Sequence, residues 1–460
     1  MLQPSAGTVK VPFRSMGLKL IVVCVLAVVM TIPALFVWSL IDDRTHRAQE
    51  VTNEISGLLG GPQTFLGPVL AIPYVQPASL TTTQQHGTCI VFPTVAAAAV
   101  NTSTEVRHRS LFKVPVYHAN VAFTASFDIT EPLANVPADA ALDWDRAEFL
   151  VGASDPRGAQ AEITLTRGNE TVAVAPAATL ATTSLHLQSD GDTQLTLFGA
   201  QAGAIARPGG KFAVSATLKF TGAQRLAILA FGKTTTVSVA GDWAHPSFNG
   251  GYLPVSQNLT GSGFTANWSV PFIARGVPAE GRVEILTRLG RTAMGVSFVE
   301  LADPYQSVTR SLKYALLFIG LVFLSYFLFE VGSGKRVHPA QYIMIGVAQL
   351  VFYLLLLSIA ERIGFDFAFA LAAAATVALI SAYAGWIFAS RSYGLRALAA
   401  FSALYALIYL LLRLEDQALL LGALASFAAI SAVMYFTRHM DWYAASNPSA
   451  LPESGSVGNS

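Results

Sequence analysis

Six long apolar runs divide this chain of 460 residues into a membrane part and a water-exposed part. A helix needs about 20 apolar residues to cross the hydrocarbon core of a bilayer. The runs lie at Leu18–Ile41, Tyr314–Phe329, Gln341–Ile359, Phe367–Phe388, Ala397–Leu412 and Ala418–Phe436. The composition agrees, with 53% hydrophobic and only 12% charged residues. We therefore predict a membrane α-helical protein with one N-terminal anchor and a C-terminal five-helix bundle.

The charges that flank these runs predict the orientation. Lys10, Arg14 and Lys19 precede or begin the first run, whereas Asp42 and Asp43 follow it. Basic residues concentrate in cytoplasmic loops. The later loops that this rule assigns to the cytoplasm carry Lys335, Arg336, Arg391, Arg396 and Arg438. Both termini are therefore predicted to be cytoplasmic, and the long segment between the first two runs is predicted to face outward.

That outward segment, residues 42–312, has the pattern of a mostly-β, sandwich-like domain. A short helical stalk is expected to continue from the anchor until Gly60, Gly61 and Pro62 end it. Polar and apolar residues then alternate in short stretches separated by turn formers. These stretches are Val121–Ile129, Ala161–Arg167, Gln194–Phe198, Phe212–Phe220, Thr234–Ala240, Phe264–Val270 and Arg282–Thr287. One domain and two domains both fit, with Gly199–Gly210 as the linker candidate.

The predicted organisation is thus simple. Residues 1–17 form a cytoplasmic N-terminus, 18–41 the first transmembrane helix, and 42–312 the extracytoplasmic domain. Residues 313–436 hold five transmembrane helices, and 437–460 form a cytoplasmic tail that is disordered after about residue 444, because it is rich in Ser, Pro and Gly.

Several functional classes lack the residues they need. The net charge of +1 and the absence of a basic cluster interleaved with aromatics argue against nucleic-acid binding. Gly232-Lys233-Thr234 lacks the first glycine of a phosphate-binding loop, and none of the eight histidines precedes a glutamate as in zinc hydrolases. Cys24 and Cys89 lie in different environments, so no disulfide is expected. We predict no metal, no cofactor and no enzymatic activity.

A serine nucleophile is also poorly supported. The segment from Gly152 to Pro156 ends in proline where the nucleophile elbow needs glycine. Ser110 and Lys113 have the Ser-x-x-Lys spacing, but the chain that follows is expected to be extended rather than helical.

Charged residues are predicted only at the ends of the membrane runs. Glu330, Glu361, Glu415 and Asp416 lie where water or lipid headgroups would solvate them. The absence of a mid-span charge argues against ion-coupled transport, whereas a path for uncharged solutes or a lipid site stays open.

Two outward segments mix turn formers with charged or aromatic residues. In the first, Asp155 and Arg157 flank a proline and precede Gly158, which suits either a polar ligand or a turn closed by side-chain hydrogen bonds. In the second, Trp243 and Phe248 are expected to anchor the core, and His245 is either a satisfied polar residue or a binding or acid/base group. The candidate site residues of unknown role are Asp155, Arg157, Gly158, Trp243, His245, Pro246, Ser247, Phe248 and Gly250.

The same segments, with several others in a fixed order, give the chain a family resemblance. They include Gly67–Tyr74, Val114–Tyr117, Lys313–Gly320, His338–Tyr342, Glu415–Gly422 and Asp441–Tyr443. From the first anchor to Tyr443 the chain resembles CreD, a family of inner-membrane proteins associated with cell envelope integrity. The resemblance implies a Gram-negative inner membrane, a periplasmic location for the outward domain, and expression linked to a two-component envelope response. It implies no catalytic residues.

Three functional hypotheses follow. The first is a non-enzymatic inner-membrane protein that supports envelope integrity and tolerance of envelope stress, with a periplasmic domain that binds an envelope component. Its partners would be the lipid bilayer and an envelope protein, glycan or lipid. The second is a transporter or lipid-handling protein, since a single span would have sufficed as an anchor. The third is a periplasmic-facing enzyme that uses Asp155, His245 or Ser110.

Overall fold

The chain forms two compact units in a computed structural model. The structure describes residues 16–77, 84–109, 112–131, 133, 135, 139–180, 183–188, 193–298, 304–413 and 418–438. One unit comprises Met1–Arg47 and Ala302–Ser460, and the other comprises Ala48–Leu301. We call them the helical unit and the β unit. The segment between the anchor and the later helices thus forms one compact unit, and the Gly199–Gly210 stretch lies inside it.

The helices of the two units are numbered in chain order. They are α1 (Met16–Val29), α2 (Thr31–Leu58), α3 (Phe272–Arg275), α4 (Pro304–Lys313), α5 (Ala315–Ser333), α6 (Pro339–Ile363), α7 (Phe365–Ile387), α8 (Arg391–Arg413) and α9 (Ala418–Thr437). By length and composition, five helices among the described residues suffice to cross a bilayer: Gly17–Leu58, which joins α1 and α2, and α5 to α8. The sixth predicted run forms α9.

The first apolar run is interrupted by a turn at Met30 rather than forming one regular helix. Pro33 has no backbone N–H, so the helix loses one hydrogen bond just before it. The carbonyl that loses its donor is that of Val29, and the Thr31 hydroxyl donates to the neighbouring Val28 carbonyl at 2.6 Å. Helix α2 ends at Leu58, followed by Gly60 and Gly61 with φ values of +91° and +57°. Glycine adopts this left-handed region without steric cost, so the predicted end of the stalk has a clear local cause.

The strands of the β unit are mostly short. They are β1 (Gln63–Gln76), β2 (Gln85–Val91), β3 (Val95–Arg109), β4 (Phe112–Asp128), β5 (Ala141–Leu142), β6 (Glu148–Ala153), β7 (Thr164–Arg167), β8 (Glu170–Ala173), β9 (Ala175–Pro176), β10 (Ser184–Leu187), β11 (Thr193–Gln201), β12 (Lys211–Ala223), β13 (Arg225–Ile228), β14 (Thr234–Gly241), β15 (Pro246–Gly250), β16 (Ser256–Thr260), β17 (Gly263–Val270), β18 (Glu280–Arg282) and β19 (Met294–Phe298).

Within the described residues these strands form two sheets. The eleven-stranded sheet has the order β10-β11-β6-β1-β13-β19-β15, with β2 and β5 also paired to β1, β18 to β2, and β9 to β11. The eight-stranded sheet has the order β16-β17-β14-β3-β4-β12-β7-β8. Most pairs are antiparallel, but β1 with β13 and β3 with β14 are parallel. No pattern in the sequence indicated these two crossovers.

The two sheets pack face to face around one hydrophobic core. Phe65 of β1 meets Phe220 of β12 with ring centroids 5.2 Å apart, and Phe149 of β6 lies 5.6 Å from Phe127 of β4. Each such aromatic pair adds roughly 0.5 to 1.5 kcal/mol beyond the burial of its area. Strand β12 alternates buried and exposed residues along most of its length, as expected for a strand with one face in the core. The helices and this sandwich confirm the predicted fold class.

One predicted strand is wrong. Arg282–Thr287 is strand only at its first residue, and a 3-10 helix spans Val283–Thr292. Ile285, Leu286 and Leu289 are the buried apolar residues there, and their spacing is helical. The short alternation at Val283 and Ile285 suits both structures, so periodicity over six residues could not distinguish them.

The buried thiol of Cys89 provides a probe of the folded β unit. Its side chain is 1% exposed in β2, and burial, with a smaller effect of Glu280, raises the pKa from 9.0 to about 12. In a Cys24→Ser chain we expect maleimide to leave Cys89 unmodified at pH 7 to 9 and to modify it once denaturant opens the unit. The folded state holds the Cys89 thiol proton more tightly than the unfolded state does. The stability that this difference contributes is complete below pH 9 and is lost as pH rises toward 12. Labelling followed by mass spectrometry checks the first point, and rapid native labelling would contradict it.

Candidate functional site

Gln63, at the start of β1, forms hydrogen bonds to the first predicted segment, which contains Asp155, Arg157 and Gly158. The Gln63 Nε2 donates to the Gly60 carbonyl at 2.8 Å and to the Asp155 carbonyl at 2.9 Å, and its Oε1 accepts from the Asp155 N–H at 3.3 Å. The neighbouring Ser154 hydroxyl accepts from the Thr64 N–H at 2.9 Å. Gln63 is 1% exposed, so these bonds replace water that the side chain cannot reach. These hydrogen bonds join the start of β1 to the turn that follows β6.

Asp155 and Arg157 interact mainly with each other. The Asp155 carboxylate accepts from the Arg157 N–H at 3.0 Å and begins a one-turn 3-10 helix, Pro156–Gly158. It also accepts from the guanidinium, with Nη2 at 2.6 Å and Nε at 3.0 Å. The hydrogen bond from Arg157 is the main reason that the pKa of Asp155 lies below its usual value. An Asp held in this way is a closed turn rather than a free acid or base.

Gly158 is a position that admits no side chain. A Cβ there would lie 2.4 Å from the Thr221 carbonyl oxygen and 2.7 Å from the Gln63 Nε2. We expect Gly158→Ala to destabilise the β unit by about 1 to 3 kcal/mol, because backbone must move to admit the methyl group. The measurement is Cys89 protection against maleimide in increasing urea.

The matched control for that substitution is Gly261→Ala. Nothing lies within 4 Å of a Cβ at Gly261, which is an exposed turn residue. We expect the urea midpoint of Gly261→Ala to match the wild type. Equal midpoints for the two variants would show that Gly158 is not tightly packed.

The second predicted segment combines aromatic anchors with exposed polar residues. Trp243 packs on Phe298 with centroids 6.3 Å apart, and Phe248 packs on Trp268 at 5.8 Å. His245 is exposed. Pro246 begins β15 and pairs with Phe298, and Ser247 after it is exposed. Gly250 has a φ of +111°, and a Cβ there would lie 2.2 Å from the Ala293 carbonyl oxygen.

The two segments do not form one site. The first follows β6 and the second includes β15, and the order β6-β1-β13-β19-β15 puts four strand steps between these strands. At roughly 4.8 Å per step the two strands are about 19 Å apart. An Asp155–His245 acid/base pair would need direct hydrogen-bond contact. Ser110 of the Ser-x-x-Lys motif lies outside the described residues, and its Lys113 is in β4.

The β unit contains a polar cleft of about 540 Å³. It lies beside the paired ends of β1 and β2, and its lining includes Tyr74, Thr88, Arg146 and Arg282. Its volume is within the range of small-molecule sites, about 300 to 1,000 Å³. None of the nine predicted site residues lines it.

In the helical unit, Glu330 is buried rather than solvated. It is 0% exposed, although the sequence predicted a residue at a span end in contact with water or headgroups. Its carboxylate accepts from the Lys19 ammonium of α1, from the Val337 N–H at 3.0 Å and from the Tyr342 hydroxyl at 3.2 Å. The start of α1 therefore lies beside the end of α5 and the start of α6. Removal from water is tolerated because a cation and two further donors surround the charge.

A comparison with known proteins identifies the family. The model of a family described as inner membrane protein CreD matches residues 15–443. The chain belongs to the CreD family. The inner membrane protein CreD of Escherichia coli (strain K12) is 27% identical to it over 433 residues, which cover 91% of this chain and 92% of the relative. Family membership confirms the resemblance, and with five helices able to cross a bilayer it makes this CreD chain a multi-pass inner-membrane protein.

Segments that carried the CreD resemblance have structural roles in the β unit. A Cβ at Gly67 would lie 2.6 Å from the Phe231 ring, so this glycine lets β1 approach an aromatic core residue closely. Tyr117 is 0% exposed, and its hydroxyl donates to the Arg225 carbonyl at 2.7 Å. Burial raises the pKa of that hydroxyl, so Tyr117 stays neutral and acts as a donor.

Arg275 of this CreD chain is an important residue that the sequence analysis missed. It is 3% exposed and donates to the Gly232 and Val277 carbonyls at 3.0 and 2.9 Å, and also to the Pro278 carbonyl. Its guanidinium lies 4.3 Å from the centre of the Phe92 ring. Burial lowers the pKa of Arg275 to about 10. A single arginine in a β-rich segment has no local signal that it will be buried.

Proposed function

We propose that this protein is a non-enzymatic inner-membrane protein that supports cell envelope integrity and tolerance of envelope stress. Its β unit faces the periplasm, both of its termini are cytoplasmic, and the β unit binds an envelope component: a protein, a glycan or a lipid. The distribution of lysine and arginine in the loops supports this orientation.

The observation that carries the proposal is the preformed polar cleft in a two-sheet unit. Binding needs a fixed surface with polar groups that are free to meet a ligand. Catalysis has less support, since the Asp155 carboxylate is held by Arg157 and His245 lies in a segment four strand steps away.

Survival under envelope stress tests the proposal. A strain that lacks the gene is complemented with the wild type or with Asp155→Ala plus His245→Ala, after membrane levels are shown to be equal. We expect both to restore survival. Failure of a well-folded double variant would favour an enzyme that uses these residues, and failure of the wild type to alter survival would end the envelope role.

Crosslinking in cells tests the binding part separately. A photoreactive amino acid is placed at exposed positions of the β unit, such as His245 or Ser247, and at residues around the cleft. We expect one specific envelope component to be captured from the cleft positions. No specific product at any position would argue against a binding role.

A lipid-handling function is the second candidate, and a groove between α7 and α8 favours it. The groove has a volume of about 510 Å³ and is lined by Ala370, Ala373 and Ala374 on α7 and by Ser402 and Ala406 on α8. At one end, Asp366 accepts from Arg413 and from the Tyr409 hydroxyl. Reconstitution with fluorescent phospholipids tests this function, and an unchanged rate of lipid movement across the vesicle bilayer would exclude it.

A further inference from the structure

The cleft beside β1 and β2 has an arginine on each side. Leu142 of β5 pairs with Tyr74 of β1, and Arg146 follows four residues later. On the other side, Arg282 of β18 pairs with Cys89 of β2. The strand order β5-β1-β2-β18 separates β5 from β18 by three steps, about 14 Å at roughly 4.8 Å each. The two arginines therefore bracket the cleft.

Contacts and hydrogen bonds within the β unit fix the positions of Tyr74, Thr88 and Thr179, which line the cleft. The Tyr74 ring covers Gly87, where a Cβ would lie 2.4 Å from the ring. The Thr88 hydroxyl donates to the Thr179 carbonyl at 3.1 Å. The buried Glu148 carboxylate accepts from the Thr179 N–H at 3.1 Å and from its hydroxyl at 2.7 Å. A ligand would thus meet a preformed surface, which lowers the entropic cost of binding.

The charged groups of the cleft determine what it can accept. Arg146 and Arg282 are exposed, and neither guanidinium has a carboxylate partner among the residues that the structure describes. Asp143 already accepts from the Arg146 N–H at 3.2 Å, whereas the exposed Glu284 carboxylate has no such described donor. His86 also lines the cleft as a polar group. The cleft lining thus carries two cations and two carboxylates, and of these Arg146, Arg282 and Glu284 have no described side-chain partner.

We propose that this cleft binds a short acidic peptide, whose carboxylates pair with Arg146 and Arg282 and whose amino group pairs with Glu284. Guanidinium and carboxylate groups match in geometry and form two parallel hydrogen bonds. Such a ligand offers an acceptor to each of the two arginines and a donor to Glu284. The inference rests on the proposed function, since it names the chemical class of the bound envelope component.

Calorimetric titration of the full chain in detergent tests the ligand class. The probe is the peptide Ala-Glu-Ala, compared with Ala-Gln-Ala, which lacks the side-chain carboxylate, and with N-acetyl-Ala-Glu-Ala, which lacks the amino group. We expect either change to weaken binding about tenfold or more, as the loss of one charge-assisted hydrogen bond predicts. Equal affinity for all three peptides, or tighter binding of glucose 6-phosphate, would overturn the acidic-peptide assignment.

Variants of the protein test the site. Arg146→Ala and Arg282→Ala should each weaken Ala-Glu-Ala binding about tenfold or more, and Glu284→Gln should remove the difference between the free and acetylated peptides. The matched control Arg207→Ala removes an exposed arginine that does not line the cleft, and its affinity should equal that of the wild type. Wild-type affinity in all cleft variants would show that the peptide does not bind in the cleft. If crosslinking still captures an envelope component when Ala-Glu-Ala fails to bind, the proposed function stands and this inference falls.

Discussion

Replacing Glu330 by alanine is expected to cause the largest loss of stability in the helical unit. Three donors now directed at its carboxylate would be left in a buried pocket: the Lys19 ammonium, the Val337 N–H and the Tyr342 hydroxyl. Breaking a buried ion pair from one side costs about 3 to 5 kcal/mol. Thermal unfolding of the purified chain, followed by size-exclusion chromatography, should show a large fall in the midpoint.

The partners of Glu330 allow a sharper test than one substitution. Lys19→Met should also lower the midpoint, because it leaves the Glu330 carboxylate, which is 0% exposed, without its cation. The double variant Lys19→Met with Glu330→Gln replaces the ion pair by neutral groups and should be more stable than the sum of its single changes predicts. Asp43→Asn, an exposed acid of the same unit, serves as the control and should change little. If Glu330→Ala behaves like Asp43→Asn, the buried pair does not stabilise the unit.

Removal of the Arg275 side chain should be the most damaging change in the β unit. Arg275→Ala leaves the Gly232, Val277 and Pro278 carbonyls without this donor and removes the cation from the Phe92 ring. The Gly232 carbonyl keeps the Thr235 hydroxyl as a donor at 3.3 Å, so two carbonyls lose their donor. Each unsatisfied buried acceptor costs about 1 to 3 kcal/mol, and we therefore expect a loss of about 2 kcal/mol or more. Urea unfolding read by Cys89 labelling measures it.

The control and the intermediate variant for Arg275 separate charge from hydrogen bonding. Arg291→Ala changes an exposed arginine of the same unit and should shift the free energy of unfolding by no more than about 0.5 kcal/mol. Arg275→Lys keeps the charge but cannot reproduce the planar set of donors, and it should fall between the wild type and alanine. A wild-type midpoint for Arg275→Ala would show that the three carbonyls find other donors.

The division into helical and β parts was predictable because its signals are local. The apolar runs exceed or approach the length that a bilayer demands, and α5 to α8 contain four of them. Gly60 and Gly61 end α2 near the predicted residue because their backbone angles favour glycine. The strands at 212–220, 234–240 and 264–270 were visible in period-two alternation and lie within β12, β14 and β17.

The candidate residues were easier to find than their roles. Asp155, Gly158 and Phe248 were singled out because their segments mix turn formers with charged or aromatic residues. The structure shows that one carboxylate closes a turn, that one glycine packs against backbone, and that one ring joins the aromatic core. The cleft was missed altogether, since Arg146 and Arg282 are 136 residues apart and neither belongs to a recognisable motif.

The sequence by itself determined where this protein is apolar, where it alternates, and where its helices must end, because those properties depend on neighbouring residues. Only the tertiary structure decided which charges are buried and which residues meet. Glu330 looked like a solvated span end until Lys19, 311 residues away along the chain, was found beside it. The physical reason is that burial and charge pairing are properties of the space around a side chain, and that space is filled by segments distant in the sequence.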